Sequence, residues 1–349
     1  MRYLLISLSL VYVTCTSDIS TDQNSFVEIV EVYQTERDLN DNVDTPAIWD
    51  NPNGETWLLA TAKETDRILV YDASTGETID RFGEEGNEAG QLDRPNAISV
   101  IDNFAFIVER DNKRVQVFTL PGFESLGYFG QEYMIKPYGI TIIPFDSTKY
   151  RIFVTDNYET LDEQVPPISE LDKRVHEFSV SLINNELSSD YRKAFGDTTS
   201  AGALRTVESI MADPVYNRLL IADEDSVQNH IKVYSLDGRF TGTIIGEGRF
   251  RFEPEGIALY QCPDNQGYWI TTDQDPEFNT FFVFDRETLS YIGGMQNERT
   301  TNTDGIVVHQ KSFTNFPNGG FFPIHNDGNI SAFRWDSIAS GLQLDICTL

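Results

Sequence analysis

The sequence predicts an all-β protein, a six-bladed β-propeller whose ring is closed by an N-terminal strand. Three observations predict it. A short motif recurs six times at similar spacing, further short apolar segments bounded by Asp, Gly and Asn follow each copy, and one alternating segment precedes the first copy. Four short strands in each repeat of about 40–50 residues are typical of a propeller blade.

The repeated motif consists of a variable residue, a small residue and an isoleucine. The six isoleucines are separated by 50, 42, 70, 47 and 49 residues, and they are Ile48, Ile98, Ile140, Ile210, Ile257 and Ile306. Further apolar segments follow each copy, as in residues 104–110, 115–119 and 125–129 of the second repeat. Six copies therefore predict six blades. A β-sandwich with coincidental spacing is the alternative fold.

The two ends of the repeat array predict how the ring closes. The sixth copy lacks an obvious fourth strand after Trp335, whereas residues 26–33 alternate with a period of two residues. We expect residues 26–33 to form the outer strand of the last blade, because an open ring would expose an apolar face and an unpaired edge. The propeller is predicted over residues 26–342, with a tail over 343–349. The 70-residue step contains an acidic, proline-containing insertion at residues 158–173, expected to be a surface loop.

The first 15 residues have the features of an export signal. Met1 and Arg2 precede an apolar stretch, residues 4–13, that is too short to span a bilayer. Cys15 lies where a lipoprotein signal places its lipidated cysteine, although Thr14 is not the usual Gly or Ala, and residues 16–25 form a polar linker. We therefore expect an exported protein, secreted, periplasmic or lipid-anchored at the cell envelope, with membrane attachment only through this end. A cytoplasmic protein with an apolar N-terminus is the alternative.

Two further cysteines, Cys262 and Cys347, remain if Cys15 is lipidated or removed. They could form a disulfide bond in an exported protein, but the sequence does not decide whether they do. Three cysteines at these spacings do not predict a zinc site.

The composition restricts the partners of the protein. The chain has 26 Lys and Arg residues against 55 Asp and Glu residues, which gives a formal net charge of −29. This charge argues against nucleic acid and anionic membranes as partners, because both would be repelled. It also disfavours a polyanionic substrate unless a cation is bound first.

The topology of a propeller places one residue of each motif at the same mouth of the central channel. The first strand of every blade lines the channel, and the second returns antiparallel to it. The residues two before each isoleucine should therefore meet the ends of the second strands. The first set is Pro46, Asn96, Tyr138, Glu208, Glu255 and Asp304; the second is 63–64, 109–111, 156–157, 223–225, 273–275 and 325–327.

The acids among these residues predict a calcium site. Crowded carboxylates repel one another, so they must stay protonated or bind cations. Oxygen ligands with almost no His or Cys favour Ca²⁺ over zinc or copper. We expect metal ligation by Glu208, Glu255 and Asp304, whereas Asp72 and Asp237, at the other ends of their strands, should be solvated. Nucleophile-elbow, phosphate-loop and zinc-protease motifs do not occur in the sequence, so metal-activated water is the chemistry that remains.

With these residues identified, the chain resembles the β-propeller phytases, calcium-dependent enzymes that hydrolyse myo-inositol hexakisphosphate (phytate). The resemblance covers about residues 26–342 and is most specific in the last two blades. The segments that carry it are Asp44-Thr45-Pro46-Ala47-Ile48-Trp49, Lys136-Pro137-Tyr138-Gly139-Ile140, Thr206-Val207-Glu208, Leu220-Ile221-Ala222-Asp223-Glu224-Asp225, Glu253-Pro254-Glu255-Gly256-Ile257, Thr272-Asp273-Gln274, Thr303-Asp304-Gly305-Ile306, Phe316-Pro317-Asn318-Gly319-Gly320-Phe321 and Phe333-Arg334-Trp335-Asp336.

The resemblance implies a set of site residues. Calcium ligands would be Glu208, Glu224, Glu253, Glu255, Gln274 and Asp304, with a further calcium site near Asp44. Substrate phosphates would be held by Lys63, Arg110, Arg94, Lys136 and Tyr138. The implied catalytic residues are Lys63, Arg110, Glu208 and Glu255. The chain departs from the family pattern at Thr45, at Glu253 and at Asp275-Pro276, and it has fewer lysines after the first blade's second strand, so the acidic pocket is retained better than the phosphate clamp.

The resulting expectation is a monomeric, calcium-dependent, 3-phytase-like phosphomonoester hydrolase acting on phytate or a related phosphate ester. Two alternatives remain open. One is a six-bladed lactonase-like hydrolase with a single channel metal. The other is a non-catalytic calcium-binding module for a glycan or protein.

Overall fold

In the computed structural model, which describes residues 26–347, the strands form six sheets that follow one another along the chain. The first strands of neighbouring blades contact one another around the ring, including those of the sixth and first blades. The predicted six-bladed β-propeller is confirmed. The predicted signal segment 1–15, the lipidation site at Cys15 and the linker 16–25 lie outside the described residues.

The strands of the first three blades are short and consecutive. Blade 1 contains β3 (Val43–Asp50), β4 (Thr56–Ala62), β5 (Arg67–Asp72) and β6 (Thr78–Phe82), after β1 (Val27–Glu28) and β2 (Tyr33–Gln34). Blade 2 contains β7 (Pro95–Ile101), β8 (Phe104–Glu109), β9 (Arg114–Thr119) and β10 (Ser125–Phe129). Blade 3 contains β11 (Pro137–Asp146), β12 (Lys149–Asp156), β13 (Val175–Ile183) and β14 (Glu186–Phe195).

The last three blades follow the same plan. Blade 4 contains β15 (Val207–Asp213), β16 (Arg218–Asp223), β17 (His230–Ser235) and β18 (Phe240–Ile245). Blade 5 contains β19 (Glu253–Gln261), β20 (Gly267–Gln274), β21 (Thr280–Asp285) and β22 (Tyr291–Gln296). Blade 6 contains β23 (Ile306–His309), β24 (Gly320–His325) and β25 (Asn329–Arg334), followed by helix α1 (Trp335–Leu342). Two single 3₁₀ turns, Ile168–Glu170 and Pro263–Asn265, lie in loops.

The N-terminal segment closes the ring, but it does so as two strands rather than one. Strand β2 pairs antiparallel with β25, where Tyr33 lies opposite Ala332, and so supplies the fourth strand of blade 6 as predicted. Strand β1 pairs parallel with β22, where Val27 lies opposite Met295, and adds a fifth strand to blade 5. The alternating pattern of residues 26–33 therefore belongs to two different blades, because the segment crosses from one blade edge to the next.

The hydrophobic core lies between the blades. Each of six clusters of buried side chains joins two neighbouring blades, as where Leu59 and Val70 of blade 1 pack with Ile107 and Phe118 of blade 2. This arrangement follows from the strand pattern, since both faces of every blade are covered by a neighbour. Within residues 26–347, no helix is long and apolar enough to cross a membrane.

The C-terminal segment is attached to blades 5 and 6. Helix α1 contacts β1, β22 and β25, and its residues Trp335, Ile338 and Ala339 are buried. A disulfide bond joins Cys262 to Cys347, with 5.2 Å between the two Cα atoms. The pairing that the sequence left open is therefore formed, and it fixes the tail beyond α1 to blade 5.

Candidate metal and substrate site

The innermost strands of blades 1–5 each begin with a β-bulge at the channel mouth. In β19, for example, Pro254 lies opposite Asp273 and Ile257 opposite Thr271, so β19 contains one extra residue between them. The register shifts in the same way at the starts of β3, β7, β11 and β15. A bulge re-aims the side chain at the extra position. The repeated motif is therefore the sequence signature of a bulge that presents Tyr138, Glu208 and Glu255 at the mouth.

The small residue of the motif is required by the next blade. The amide of Gly256 donates to the carbonyl of Asp304 (2.8 Å), and the amide of Gly305 donates to the carbonyl of Asp44 (3.0 Å). A Cβ atom at Gly139 would lie 2.1 Å from the carbonyl oxygen of Glu208. The small residue of one blade thus packs against the backbone carbonyl of the mouth residue in the next blade. These contacts fix the spacing of the mouth residues around the ring.

Three glutamates form what we call the carboxylate cluster: Glu208, Glu224 and Glu255. One carboxylate oxygen from each lies within 4.8 Å of the others. Glu224 and Glu255 are buried, with 7% and 5% of their surface exposed. Thr155, which belongs to none of the sequence motifs, helps to place the cluster, because its hydroxyl donates to the carbonyl of Glu208 at 2.7 Å.

The carboxylate cluster and Asp304 contain acceptor oxygens without a donor. The amide of Gln274 donates to Oδ1 of Asp304 at 2.7 Å, but Oδ2 of Asp304 and Oε1 of Glu224 are buried without a hydrogen-bond partner. Buried acceptors without a partner cost free energy. Carboxylate oxygens of this kind fit a hard cation such as Ca²⁺. Glu253 lies opposite Gln274 at the start of β19 and is more exposed.

The pKa values of these acids are raised, as expected for buried carboxylates that lie close together. Burial raises the pKa of Glu208 to about 7, even though Lys63 lowers it. Burial, followed by the charge of Glu208, raises the pKa values of Glu224 and Glu255 well above their usual range. Burial and the charge of Asp44 do the same for the pKa of Asp304. A bound divalent cation would replace the protons that these groups otherwise retain.

Lys63 is placed beside the carboxylate cluster by Asp44 and Tyr138. Its Nζ atom lies 2.6 Å from Oδ2 of Asp44 and 3.2 Å from the hydroxyl of Tyr138, which itself donates to Oδ2 of Asp44 at 2.7 Å. Burial alone would lower the pKa of Lys63, but Asp44, Asp304 and Glu208 outweigh it and raise that pKa above its usual range. Lys63 therefore stays protonated. Because Thr45 also donates to Asp44 (2.7 Å), the Asp44 carboxylate is occupied by donors of the chain itself.

The other basic residues predicted to bind phosphate have acidic partners of their own. Arg110 is bound in a bidentate pair to Asp111, with 2.7 Å between Nε and Oδ1. Arg94 pairs with Glu64, and Lys136 pairs with Glu159. Lys63 is therefore the predicted cation that the structure brings to the acids of the mouth.

Neighbouring acids at the ends of the second strands have different roles. The sequence predicts that both Asp223 and Glu224 lie at the mouth. Asp223, however, accepts hydrogen bonds from the backbone amides of Arg205 (3.0 Å) and Thr206 (3.1 Å). It also forms an ion pair with buried Lys232 (2.6 Å). Asp156 and Asp273 likewise accept backbone amides from the segment before their first strands. Side chains of a strand alternate in direction. Asp223 therefore holds the loop, while Glu224 joins the carboxylate cluster.

The channel continues away from the mouth as a cavity of about 290 Å³. All six isoleucines of the motif line it, and they are Ile48, Ile98, Ile140, Ile210, Ile257 and Ile306. Buried Asn96, at the mouth position of blade 2, has neither side-chain atom in a hydrogen bond. The sequence placed Asn96 at the mouth but gave it no role.

Part of the chain matches a known protein family. Residues 202–334 match the Phytase family model, which confirms over that range the resemblance found in the sequence and is consistent with a divergent member. The matched range contains all predicted calcium ligands except Asp44 and none of the predicted phosphate-binding residues. No curated protein matches the chain significantly.

One solved structure shows the similarity in fold, and two others are similar with lower scores. Hydrazine synthase of Kuenenia stuttgartiensis is similar with a TM-score of 0.50 and 10% identity, over 83% of either chain. The Pan2 WD40 domain of Neurospora crassa has a TM-score of 0.45 and 9% identity, over 81% of this chain and 72% of its own. A nidogen/laminin complex has a TM-score of 0.46 and 13% identity, over 75% of this chain and 82% of its own. At these identities the likeness concerns the fold alone.

Proposed function

We propose, from the family match over residues 202–334, that the protein is a calcium-dependent phosphomonoester hydrolase acting on phytate or a related phosphate ester. The observation that carries the proposal is the position of the carboxylate cluster inside the matched range, at the channel mouth, where Oε1 of Glu224 and, beside the cluster, Oδ2 of Asp304 are buried without a donor. A cation would relieve the repulsion between these carboxylates, whereas a neutral or zwitterionic ligand would not.

Calcium fits the residues of this site. Glu208, Glu224 and Glu255 would hold it, together with Asp304, Gln274 and Glu253 at the edge. Bound calcium would attract phosphate oxygens and lower the pKa of a water molecule to make it a nucleophile at neutral pH.

The side chains of the mouth would orient the substrate. Lys63, held by Asp44 and Tyr138, offers a fixed ammonium beside the cluster and would stabilise negative charge on the transferring phosphoryl group. Hydrolysis forms a bond from the water oxygen to phosphorus and breaks the ester bond, so inorganic phosphate and an alcohol are released. Arg110 could assist once it turns from Asp111.

Phosphate release from phytate and from glycerol 2-phosphate, measured with calcium and with EGTA, tests the proposal. We expect release with calcium only, and its loss together with calcium binding in the double variant Glu208→Gln/Glu255→Gln. Asp237→Asn is the matched control, because Asp237 lies in the β17–β18 hairpin at the opposite end of blade 4. Equal release by wild type and by the double variant would refute this site.

A non-catalytic calcium-binding module is the second candidate, favoured by the acidic partners of Arg94, Arg110 and Lys136. A thermal shift with calcium and no turnover of either ester would support it, whereas gluconolactone hydrolysis would support a lactonase. We also propose that the protein is exported and monomeric. The Cys262–Cys347 disulfide supports export, since disulfides persist mainly in oxidising compartments.

A further inference from the structure

Asn96 is a buried residue of the channel mouth that the proposed mechanism does not use. None of its surface is exposed. Among the described residues, neither Oδ1 nor Nδ2 of its side chain has a hydrogen-bond partner. Buried polar groups without partners cost free energy, and native proteins keep few of them. An amide of this kind inside a binding site therefore indicates a contact that is made only when the site is occupied.

The backbone places Asn96 at the same level of the mouth as Glu208. Asn96 is the extra residue of the bulge at the start of β7, and Glu208 lies in the corresponding bulge of β15. The hydroxyl of Thr61 donates to the carbonyl of Asn96 at 3.1 Å, and the hydroxyl of Thr155 makes the same contact with Glu208. Both threonines are the penultimate residues of the second strands of their blades. The device that presents a glutamate of the carboxylate cluster therefore also presents Asn96.

Asn96 belongs to the sector of the mouth between Lys63 and Tyr138. Thr61, which contacts the carbonyl of Asn96, precedes Lys63 by two residues at the end of β4. Tyr138 of blade 3 donates to Asp44 of blade 1 at 2.7 Å, and its hydroxyl lies 3.2 Å from Nζ of Lys63. Because blade 2 lies between blades 1 and 3, these contacts span the sector that contains Asn96.

The mouth has an uncharged half and an acidic half. Its six mouth positions are uncharged in blades 1–3 and acidic in blades 4–6, and they are Pro46, Asn96 and Tyr138, then Glu208, Glu255 and Asp304. Lys63 adds its ammonium to the uncharged half, where it is paired with Asp44. Blades 2 and 5 are three steps apart in a ring of six, so Asn96 lies across the channel axis from Glu255. A phosphate bound to calcium at the carboxylate cluster would therefore have oxygens directed towards the half that contains Asn96.

From the unpaired amide, its bulge and the two halves of the mouth, we propose that Asn96 is a substrate-binding residue. Its Nδ2 donates a hydrogen bond to an oxygen of the phosphate group, beside Lys63. The inference rests on the proposed function and deepens it, because it assigns a further donor to the phosphate. An amide suits this position, since a carboxylate would repel the phosphate and a second ammonium would repel calcium. Hydrogen bonds from neutral donors to a charged oxygen are stronger than those to a neutral one.

The variant Asn96→Leu tests the inference, because it keeps the number of side-chain atoms and removes the donor. Calorimetric titration of the calcium-loaded protein with inorganic phosphate, below the concentration at which calcium phosphate precipitates, should show affinity about tenfold weaker or less. The KM for glycerol 2-phosphate should rise by a similar factor, whereas calcium affinity should change less than about twofold. The Tm in EDTA should stay the same or rise, because two buried polar atoms without partners are removed.

A second variant and a matched control keep the test independent of folding. Asn96→Asp retains the shape of the side chain but replaces the donor with a negative charge. It should weaken phosphate binding more than Asn96→Leu does, with calcium binding at least as tight as in the wild type. Thr271→Val is the control, because Thr271 is also fully buried with an unpaired hydroxyl but lies opposite Ile257 within β20. It should leave the affinities for phosphate and calcium unchanged.

The outcomes separate this inference from the proposed function. Unchanged phosphate affinity in both Asn96 variants, or calcium affinity more than tenfold weaker in Asn96→Leu, overturns the inference and leaves the proposed function intact. Phosphate binding that requires Asn96, without turnover of glycerol 2-phosphate or phytate, supports the inference and overturns the proposed hydrolysis. A wild-type protein that neither binds inorganic phosphate nor hydrolyses either ester in the presence of calcium overturns both.

Discussion

Lys63 and Asp44 form a buried ion pair at the centre of the channel mouth, with 2.6 Å between Nζ and Oδ2 and side-chain exposures of 10% and 2%. Asp304 and Glu208 also act on the charge of Lys63. The ammonium is therefore the chain's own counter-ion for the acids that we assign to calcium. It attracts phosphate and repels calcium at the same time.

This position predicts opposite effects of the substitution Lys63→Met. Calcium should bind about three- to tenfold more tightly, since one nearby positive charge at a partly screened site is worth about 1 kcal/mol. Phosphate release should fall at least about tenfold, because the charge that faces the phosphoryl group is lost. Calorimetric titration with calcium and a phosphate assay on the same samples measure both. Weaker calcium binding in the variant would contradict the prediction, and Lys149→Met, in β12, is the control.

The pKa of Glu208 predicts how the calcium-free protein depends on pH. This pKa is raised from 4.5 to about 7 in the folded protein, so the folded state binds more protons than the unfolded state between these values. Its contribution to stability is complete below about pH 4.5 and is lost as the pH rises to about 7. Thermal melts in EDTA should therefore show a Tm that falls over this window, and calcium should restore it most at the upper end. The variant Glu208→Gln/Glu255→Gln should show a smaller fall; an identical pH profile would contradict the assignment.

Asp223, the last residue of β16, and Glu224, the residue after it, should respond differently when their carboxylates are replaced by amides. Glu224→Gln removes one repelling charge from the cluster, so we expect weaker calcium binding without loss of stability in the calcium-free protein. Asp223→Asn leaves the fully buried ammonium of Lys232 without its carboxylate and should destabilise the fold by about 3–5 kcal/mol. Chemical denaturation in EDTA and calcium titration distinguish the two. Equal stability of both variants would show that the division of roles is wrong.

The close approach at Gly139 predicts a steric effect on the site. A methyl group there would overlap the carbonyl of Glu208, at 2.1 Å, and displace the backbone that carries this ligand. We expect Gly139→Ala to cost about 1–3 kcal/mol of stability and to weaken calcium binding. Gly122→Ala is the control, since its nearest neighbour would be 3.9 Å away. Wild-type calcium affinity in Gly139→Ala would argue against coupling between blades 3 and 4 at this contact.

The sequence predicted the number of blades and the identity of the mouth residues because both depend on a repeated local pattern. The isoleucine motif marks the start of each inner strand, and the bulge at that point projects Glu208, Glu255 and Tyr138 towards the axis. The chain repeats this device, so a single sequence reveals it.

Features that depend on pairs of distant side chains could not be predicted in this way. The ion pairs of Arg94 with Glu64 and of Lys136 with Glu159 join different segments of the chain, and the repeated motif does not predict them. The roles of Asp223 and Glu224 depend on the strand register, which shifts by one residue at each bulge. The division of residues 26–33 between two blades required the positions of β22 and β25.

The closure of the ring has a consequence for how the protein matures. The amide of Gly305 in blade 6 donates to the carbonyl of Asp44 in blade 1, and β2 joins blade 6 from the other end of the chain. The mouth is therefore complete only after the last blade has been synthesised and has met the first. A nascent or truncated chain that ends before Asp304 would lack both this contact and an acid beside the cluster. Calcium would thus bind late in folding, only after the whole ring has formed.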